Sequence, residues 1–427
     1  MSYQPNFIKK IFHKSRRCIA KNWLLHMPVL QIAVTGSQGK TNTTNVIYHL
    51  LKTIGPTACT DINLDTTYNV PITALTVTPW TRFALFELGV DHPFEMNSHL
   101  EIVRPNIGVI TGISPVHTDK EHFGSLENLI LEKRKLIETL PSDGYAILNG
   151  DDEYVRKMAP FTKANIIFYG RNSTNDIYAS DINVSLNGTF FTLNIKKTID
   201  SDVRENQIPI STQLIGPYHI YTIMSSLITL IAVQKITHIH DFIYKYIKTI
   251  ESIRPLKGRM SVENGPMNTT LLDDSLRANP TSTSSGLTTL SAIHHKNQKI
   301  AVLAEMGELQ EPEKEHKKIG ELLAHLAIDR VVLIGSLHKY TREKAIQNGF
   351  NTQSILWTEN VLEAANILKT IIHQGDLIYL KGSLLRHIER VPMILNGEKV
   401  KCKTGLCPFY HHCSKCEYKE FGYFLKN

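Results

Sequence analysis

The run Gly36-Ser37-Gln38-Gly39-Lys40-Thr41 joins an apolar stretch at 30–35 to an amphipathic one at 40–53. Glycines in such a turn let backbone N–H groups converge on phosphate oxygens, and a following helix adds the positive end of its dipole. In that geometry Lys40 reaches the β- and γ-phosphates of ATP, the Thr41 hydroxyl coordinates Mg²⁺, and Thr43 lies on the first turn of the same helix. The usual pattern asks for a glycine at position 34, where this chain has Val34. The flanking strand and helix therefore carry the reading more than the six residues do.

Mg²⁺ on a triphosphate needs further hard ligands. Glu87 closes "FALFE" and His117 follows "IGVITGI", so both stand at strand ends, where an open α/β sheet binds its ligands. Singly, such a Glu reads as a solvated carboxylate and such a His as a core residue; on successive strands they read as a site. Near the C-terminus Cys402, Cys407, Cys413 and Cys416 follow the spacing C-x4-C-x5-C-x2-C, with His411 and His412 between. Four sulfurs in a short segment favour a structural tetrahedral Zn²⁺, and the Cys-Pro pair leaves an iron–sulfur cluster open. Disulfides are disfavoured in a reducing cytoplasm.

Strand-like runs at 30–36, 82–89, 106–113 and 144–148 alternate with helical periodicity at 40–53, 94–103 and 125–140. That alternation predicts a mostly parallel sheet with helices on both faces. The segment 176–214 reads as paired strands about an Asn187-Gly188 turn, and helical pattern returns at 217–250. After the break "SIRPLKGRM", strand-like runs recur at 269–275, 299–307, 330–335 and 376–383, with helical stretches at 281–293, 313–327 and 359–373. The expected architecture is α/β: a basic amphipathic segment (1–30), a P-loop central domain (31–255), a smaller Rossmann-like α/β domain (256–398) and a Cys-rich tail (399–427).

With 427 residues, 42% hydrophobic and 20% charged, the chain is long enough for two or three globular domains. No apolar run reaches the roughly 20 residues that span a bilayer. A net charge of +7 suits anionic small substrates, and no nucleic-acid partner is expected. The start, "FIKKIFHKSRRCIAKNWLL", reads as a basic amphipathic helix. Packing against the first domain is the favoured reading, with contact to an anionic membrane surface left open. The expected location is the cytoplasm, with membrane association on the second reading.

"VTGSQGKTNTT", "ELGVDHPFEM", "RPNIGVITGISPVHTDKEHFGSLENLILEK", "LLDDSLRANP", "AEMGEL" and "KGS" stand in the order found in Mur ligases, and the chain resembles their MurF type over roughly 31–398. The resemblance implies an ATP-dependent, ADP-forming amide ligase working through an acyl phosphate. In the MurF type the substrates are UDP-MurNAc-tripeptide and D-Ala-D-Ala. It implies that Lys40 and Thr41 hold the triphosphate and first Mg²⁺, with Glu87 as a further ligand and His117 near a second Mg²⁺. Lys133 matches the lysine that these enzymes carbamylate. Asp273, Asp274 and Asn279 match a segment that contacts ribose and adenine, Lys381 a lysine near the phosphates, and Arg259 a basic linker residue.

Departures are visible too. His219 and Thr222 stand where the family carries asparagines, Leu276 and Arg277 replace an aromatic and an asparagine, and Leu384 replaces an arginine, with Arg386 and His387 nearby. Only about thirty residues precede the P-loop, where MurF-type enzymes carry a UDP-binding domain. Alternatives therefore stay open: a lipid-linked acceptor as in MurT, a poly-γ-glutamyl chain or specialised metabolite, or a nucleotide-gated binding protein.

Overall fold

The computed structural model describes residues 7–61, 64–114, 122–196, 207–238, 244–307, 309, 311–409 and 411–422. They form two bodies: residues up to 183 with 190–212 and 218–253, and residues 184–189, 213–217 and 254 onward.

Apart from the 184–189 stretch, which groups with the second body, the elements of the first body run α1 (Phe7–Leu25), β1 (Leu30–Thr35), α2 (Lys40–Lys52), β2 (Thr57–Cys59), α3 (Thr66–Thr76), β3 (Phe83–Glu87), α4 (Glu95–Leu100), β4 (Ile107–Ile110), α5 (Leu126–Glu138), β5 (Tyr145–Asn149), α6 (Glu153–Arg156), β6 (Asn165–Gly170), β7 (Ile177–Ser185), β8 (Gly188–Ile195), β9 (Gln207–Thr212), α7 (His219–Thr237) and α8 (Tyr244–Ser252). The sheet order is β2-β3-β1-β4-β5-β6-β7-β8-β9, with parallel pairing from β2 through to β7. Val34 pairs with both Glu87 and Val109, so three strand ends lie level around β1. Because the chain crosses from one side of β1 to the other, the turn after β1 sits at the switch point of the sheet.

Helices cover both faces. Ala20, Leu24, Val70, Ala74, Met96, Leu129 and Leu136 of α1, α3, α4 and α5 share one core with Ala33, Ala84 and Phe86 of the strands. On the other face α2 packs on α7. By length and composition α7 could cross a membrane, yet 72% of its apolar window is buried inside the body. It does not read as a continuous apolar run because Thr222, Ser225, Ser226 and Thr229 interrupt it. The buried hydroxyls of Ser225, Ser226 and Thr229 donate to the backbone carbonyls of Tyr221, Thr222 and Ser225, each one turn back along the helix. The α1 helix is fastened by Arg17 donating to Ser98 O and by Trp23 Nε1 donating to Val77 O at 2.7 Å. Those bonds and the buried Ala20 and Leu24 accord with the packing reading, while Phe12 and Ile19 remain exposed.

The second body holds β10 (Ser261–Asn264), β11 (Thr270–Asp274), α9 (Pro280–Ala292), β12 (Lys299–Ala304), α10 (Pro312–Leu323), β13 (Arg330–Ile334), α11 (His338–Gln347), β14 (Ile355–Thr358), α12 (Val361–Ile371), β15 (Leu377–Lys381) and α13 (Arg390–Leu395). Its sheet order is β10-β11-β15-β12-β13-β14, parallel apart from the antiparallel edge β10. Leu287, Leu290, Ile319, Leu323 and Ala345 line one face, and Val361, Ala364, Leu368 and Val391 the other. The α/β class, with large mostly parallel sheets, is as the alternation predicted. The hairpin turn is not: its two loop residues are Leu186 and Asn187, and Gly188, at φ 126°, opens the returning strand.

Candidate active site

The turn after β1 is pressed against the chain that leaves β4. A Cβ on Gly36, whose φ is 149°, would lie 2.1 Å from Thr111 Oγ1 and 3.0 Å from Gly112 O, so only glycine fits. The Ser37 N–H donates to Gly112 O at 2.7 Å and its hydroxyl to Ser114 O at 3.1 Å. Thr111 Oγ1 reaches Gln38 O at 2.5 Å and Thr35 O at 3.2 Å. Gly39, left-handed at φ 81°, starts α2 without a capping side chain, so the helix dipole faces the turn. Thr43 is buried on the first turn, its N–H bonded to Gly39 O.

Two lysines meet at the carbonyl of Gly36: Lys40 Nζ at 2.9 Å and Lys133 Nζ at 3.0 Å. Lys133 comes from α5 and is 2% exposed. Burial, and then the neighbouring Lys40 charge, hold its pKa well below the ordinary lysine range. Glu132 beside it accepts from the Met96 N–H at 2.8 Å and pairs with Lys135 at 2.6 Å.

At the end of β3, Glu87 Oε1 accepts from the Thr41 hydroxyl at 3.1 Å, while its backbone N–H donates to Thr60 Oγ1 at 2.9 Å. A hydroxyl and a carboxylate this close are the hard oxygen donors that suit Mg²⁺. His117 lies outside the described residues.

In the second body, β11 and β15 place Asp274 opposite Lys381. Lys381 Nζ donates to Asp274 Oδ2 at 2.6 Å and the Tyr379 hydroxyl to the same oxygen at 3.0 Å. Burial lowers the Lys381 pKa, and Asp274 opposes that shift. Asp273 is pushed up to about 6 by burial, against a bond from the Ser275 N–H. Asn279 spends its side chain on α9: its Oδ1 accepts from Ser282 N at 2.8 Å, and Ser282 Oγ accepts from Asn279 N. Arg259 is half-buried, its N–H on Leu256 O. Among the departures, Leu276 packs over Gly258, Arg277 is exposed, and Arg386 pairs with Glu305 at 2.5 Å. In the first body His219 is buried with its ring against Tyr218, and Thr222 is buried one turn on.

None of the four tail cysteines is in a disulfide, and no three of their sulfurs lie within 4.8 Å of one another. Among the described residues, the group of three ligand atoms lying within 4.8 Å of one another is His387, Glu389 and Cys413. Their backbones are tied into the second body: the Cys402 carbonyl accepts from Arg390, and the Cys407 N–H donates to Leu385 O at 2.9 Å.

Sequence reasoning passes over Thr111, Thr60 and Tyr379, which position the turn, Glu87 and Asp274. A threonine one residue beyond a strand gives no signal of its own. Tyr379 is marked only indirectly, by Gly286, where a Cβ would lie 1.8 Å from the Tyr379 hydroxyl.

Residues 34–230 match the Mur ligase middle domain and residues 258–384 the Mur ligase glutamate ligase domain. The UDP-N-acetylmuramoyl-tripeptide–D-alanyl-D-alanine ligase of Mycobacterium tuberculosis strain H37Rv is 28% identical over 372 residues, covering 82% of this chain and 70% of that protein. The ligase of the same name from Escherichia coli K12 is 26% identical over 371 residues, covering 86% and 76%. In fold, MurF from Acinetobacter baumannii superposes with a TM-score of 0.78 at 22% identity, over 90% of this chain and 80% of that one. MurF from Thermotoga maritima, solved with ADP, gives 0.75 at 21% identity, over 90% and 84%. With both domain models matched in order over most of its length, the chain belongs to the Mur ligase family of ATP-dependent, ADP-forming ligases.

Proposed function

We propose that this chain joins D-alanyl-D-alanine to a tripeptide-bearing peptidoglycan precursor, UDP-MurNAc-tripeptide, in the cytoplasm, with release of ADP and phosphate. The names of the relatives support the substrate pair. The observation that carries the reading is the meeting of Lys40 and Lys133 at Gly36 O beside the Thr41–Glu87 pair. A simple nucleotide switch has no use for a second buried lysine there.

In the proposed reaction a carboxylate oxygen of the tripeptide attacks the γ-phosphorus of ATP, and ADP leaves. The amine of the dipeptide then attacks the acyl carbon, loses a proton, and phosphate leaves as the amide forms. The acyl phosphate supplies the leaving group that a bare carboxylate lacks, and positioning with charge neutralisation does most of the work. Backbone N–H groups of 36–41 cradle the phosphates, and Lys40 neutralises their charge. Thr41 and Glu87 would hold Mg²⁺, with His117 assigned to a second ion by resemblance; such an ion would supply charge neutralisation on the phosphates. Lys133 is assigned the carbamate role, a cation turned into an anionic oxygen donor. Arg259, Asp273, Asp274 and Lys381 are assigned to the nucleotide; Asn279 would contact it only through what its helix cap leaves exposed. On this reading 31–255 is the ATP-binding domain and 256–398 the C-terminal ligase domain, flanked by 1–30 and 399–427.

The test is release of ADP and phosphate with UDP-MurNAc-tripeptide and D-Ala-D-Ala, with product mass. Turnover that needs both, giving the pentapeptide mass, supports the proposal. ATP binding without turnover on that pair, and turnover on an acceptor without UDP, would replace it.

A further inference from the structure

Arg390 is one of several residues that fasten the segment after 398 to the second body. Buried, Arg390 donates Nε to His387 O at 3.1 Å, Nη1 to Cys402 O at 2.9 Å, and Nη2 to Arg386 O and Thr404 O at 3.0 and 2.8 Å. Beside it His387 is held left-handed at φ 49°, a conformation that costs a non-glycine residue on the order of 1 kcal/mol. The ring so placed lies between a carbonyl and a carboxylate.

His387 Nε2 is 2.9 Å from Phe409 O, and a carbonyl only accepts, so Nε2 carries a proton. His387 Nδ1 is 2.6 Å from Glu389 Oε1, which also accepts the Cys413 N–H at 3.2 Å. Two acceptors facing each other in a buried place need a cation between them, either a proton or a metal. Cys413 brings its sulfur within 4.8 Å of both. Cys416 follows across a tight turn closed by its own N–H on Cys413 O at 3.1 Å, the C-x2-C spacing by which two thiolates share an ion.

We propose that His387, Glu389 and Cys413 bind one zinc ion, with Cys416 as the fourth ligand, tying the tail to the turn that enters α13. Three features favour it over a proton-sharing pair. An imidazole whose distal N–H is held by a backbone carbonyl is the usual outer-shell arrangement of a zinc histidine. The mixed nitrogen, oxygen and sulfur set suits Zn²⁺. Zinc bonds of about 2.0–2.3 Å place tetrahedral donors about 3.3–3.8 Å apart, so His387, Glu389 and Cys413 reach them by shifts of about 1 Å, and Cys416 is assigned from its spacing and turn. Cys402 and Cys407 stand outside it; the Cys402 thiol is bonded to Thr404 Oγ1 at 3.4 Å. The ligand set thus differs from the four-thiol set that spacing alone suggests.

The test uses the full-length protein, with zinc content measured by mass spectrometry and the ion then replaced by Co²⁺. One zinc per chain is expected, with a cobalt–thiolate charge-transfer band of two-thiolate intensity. His387→Ala and Cys413→Ser should weaken zinc affinity by at least about tenfold, while Cys402→Ser and Cys407→Ser retain it. Retention in His387→Ala with loss in Cys402→Ser or Cys407→Ser would overturn the proposal. So would a four-thiolate band in the unmodified protein, which needs no variant to fold, or a protein that takes up no Zn²⁺ or Co²⁺.

Discussion

Lys133 lies 97 positions along the chain from Gly36, yet its Nζ donates to the Gly36 carbonyl at 3.0 Å, beside the Nζ of Lys40. Burial and that second ammonium depress the Lys133 pKa. An amine so depressed is deprotonated more of the time, and the deprotonated form is the one that can take up CO2 as a carbamate. Lys133→Met is expected to lower turnover about 10²- to 10³-fold, the usual cost of losing one preorganised electrostatic group. Added bicarbonate should stimulate the unmodified enzyme and leave the variant unchanged. An active variant would remove Lys133 from the chemistry.

The Thr41–Glu87 contact makes a separable prediction. A hydrogen bond of this kind contributes about 1 kcal/mol to stability, so Thr41→Val and Glu87→Gln should fold nearly as well as the parent. Their turnover should fall steeply, and the Mg²⁺ concentration for half-maximal rate should rise. A Mg²⁺ titration of ADP release checks this. An unchanged Mg²⁺ requirement in both variants would place the metal elsewhere.

Asp273 supplies the pH dependence. Burial lifts its folded pKa to about 6, above the unfolded value near 3.8, so the folded state binds this proton more tightly. Its stabilisation is complete below the unfolded pKa and is lost as pH rises through about 6. The gap between the folded and unfolded values sets a ceiling of about 3 kcal/mol. Asp273→Asn, which mimics the protonated acid, should flatten the decline between about pH 4 and 6 and exceed the parent in stability above it. Urea unfolding across that range reads the slope.

The parallel strands were legible because they are β-branched runs bounded by turn residues, and the phosphate turn because glycine and lysine spacing carries its own geometry. Lys133 was legible only by resemblance, since the charged run "EKRK" hides its setting. Yet Leu129, Glu132, Lys133, Leu136 and Ile137 are the buried residues of α5, at helical spacing, so its inward face was present in the sequence. Other elements gave no such signal. β2 is three residues long, α3 carries Pro71 inside it, α11 has little amphipathic pattern, and β10 is an edge strand. The tail's candidate ligands were only partly legible for a different reason. Cysteine spacing says nothing of His387 and Glu389, which a long-range fold brings to Cys413.

Gly36 and Thr111 should behave as a pair. A methyl group on Gly36 meets Thr111 Oγ1 at 2.1 Å, so Gly36→Ala should lose ATP binding and about 1–3 kcal/mol of stability through overpacking and a strained φ. Adding Thr111→Ala removes the nearest atom but leaves Gly112 O at 3.0 Å and the strained φ. The double variant should therefore regain part of the stability, measured by thermal unfolding. Strict additivity of the two changes would show that the contact is not what excludes alanine.

Arg390 makes its own contribution to holding the tail, and it is read in protein freed of metal. Its guanidinium satisfies four backbone carbonyls from Arg386, His387, Cys402 and Thr404, and it is fully buried. Arg390→Met fills much of the space but leaves those carbonyls without their donor, each costing about 1–3 kcal/mol if it stays buried. The lowest-cost response is for the 399–422 segment to come away and let water reach them. The β11–β15 pair and its Lys381–Asp274 bridge lie on other elements and should survive. With both proteins freed of metal by a chelator, limited proteolysis should then cut within 399–422 many times faster in Arg390→Met than in the parent, while the rest of the chain stays resistant. Equal cutting rates would mean that the tail is held by its own contacts and that Arg390 merely lies beneath it.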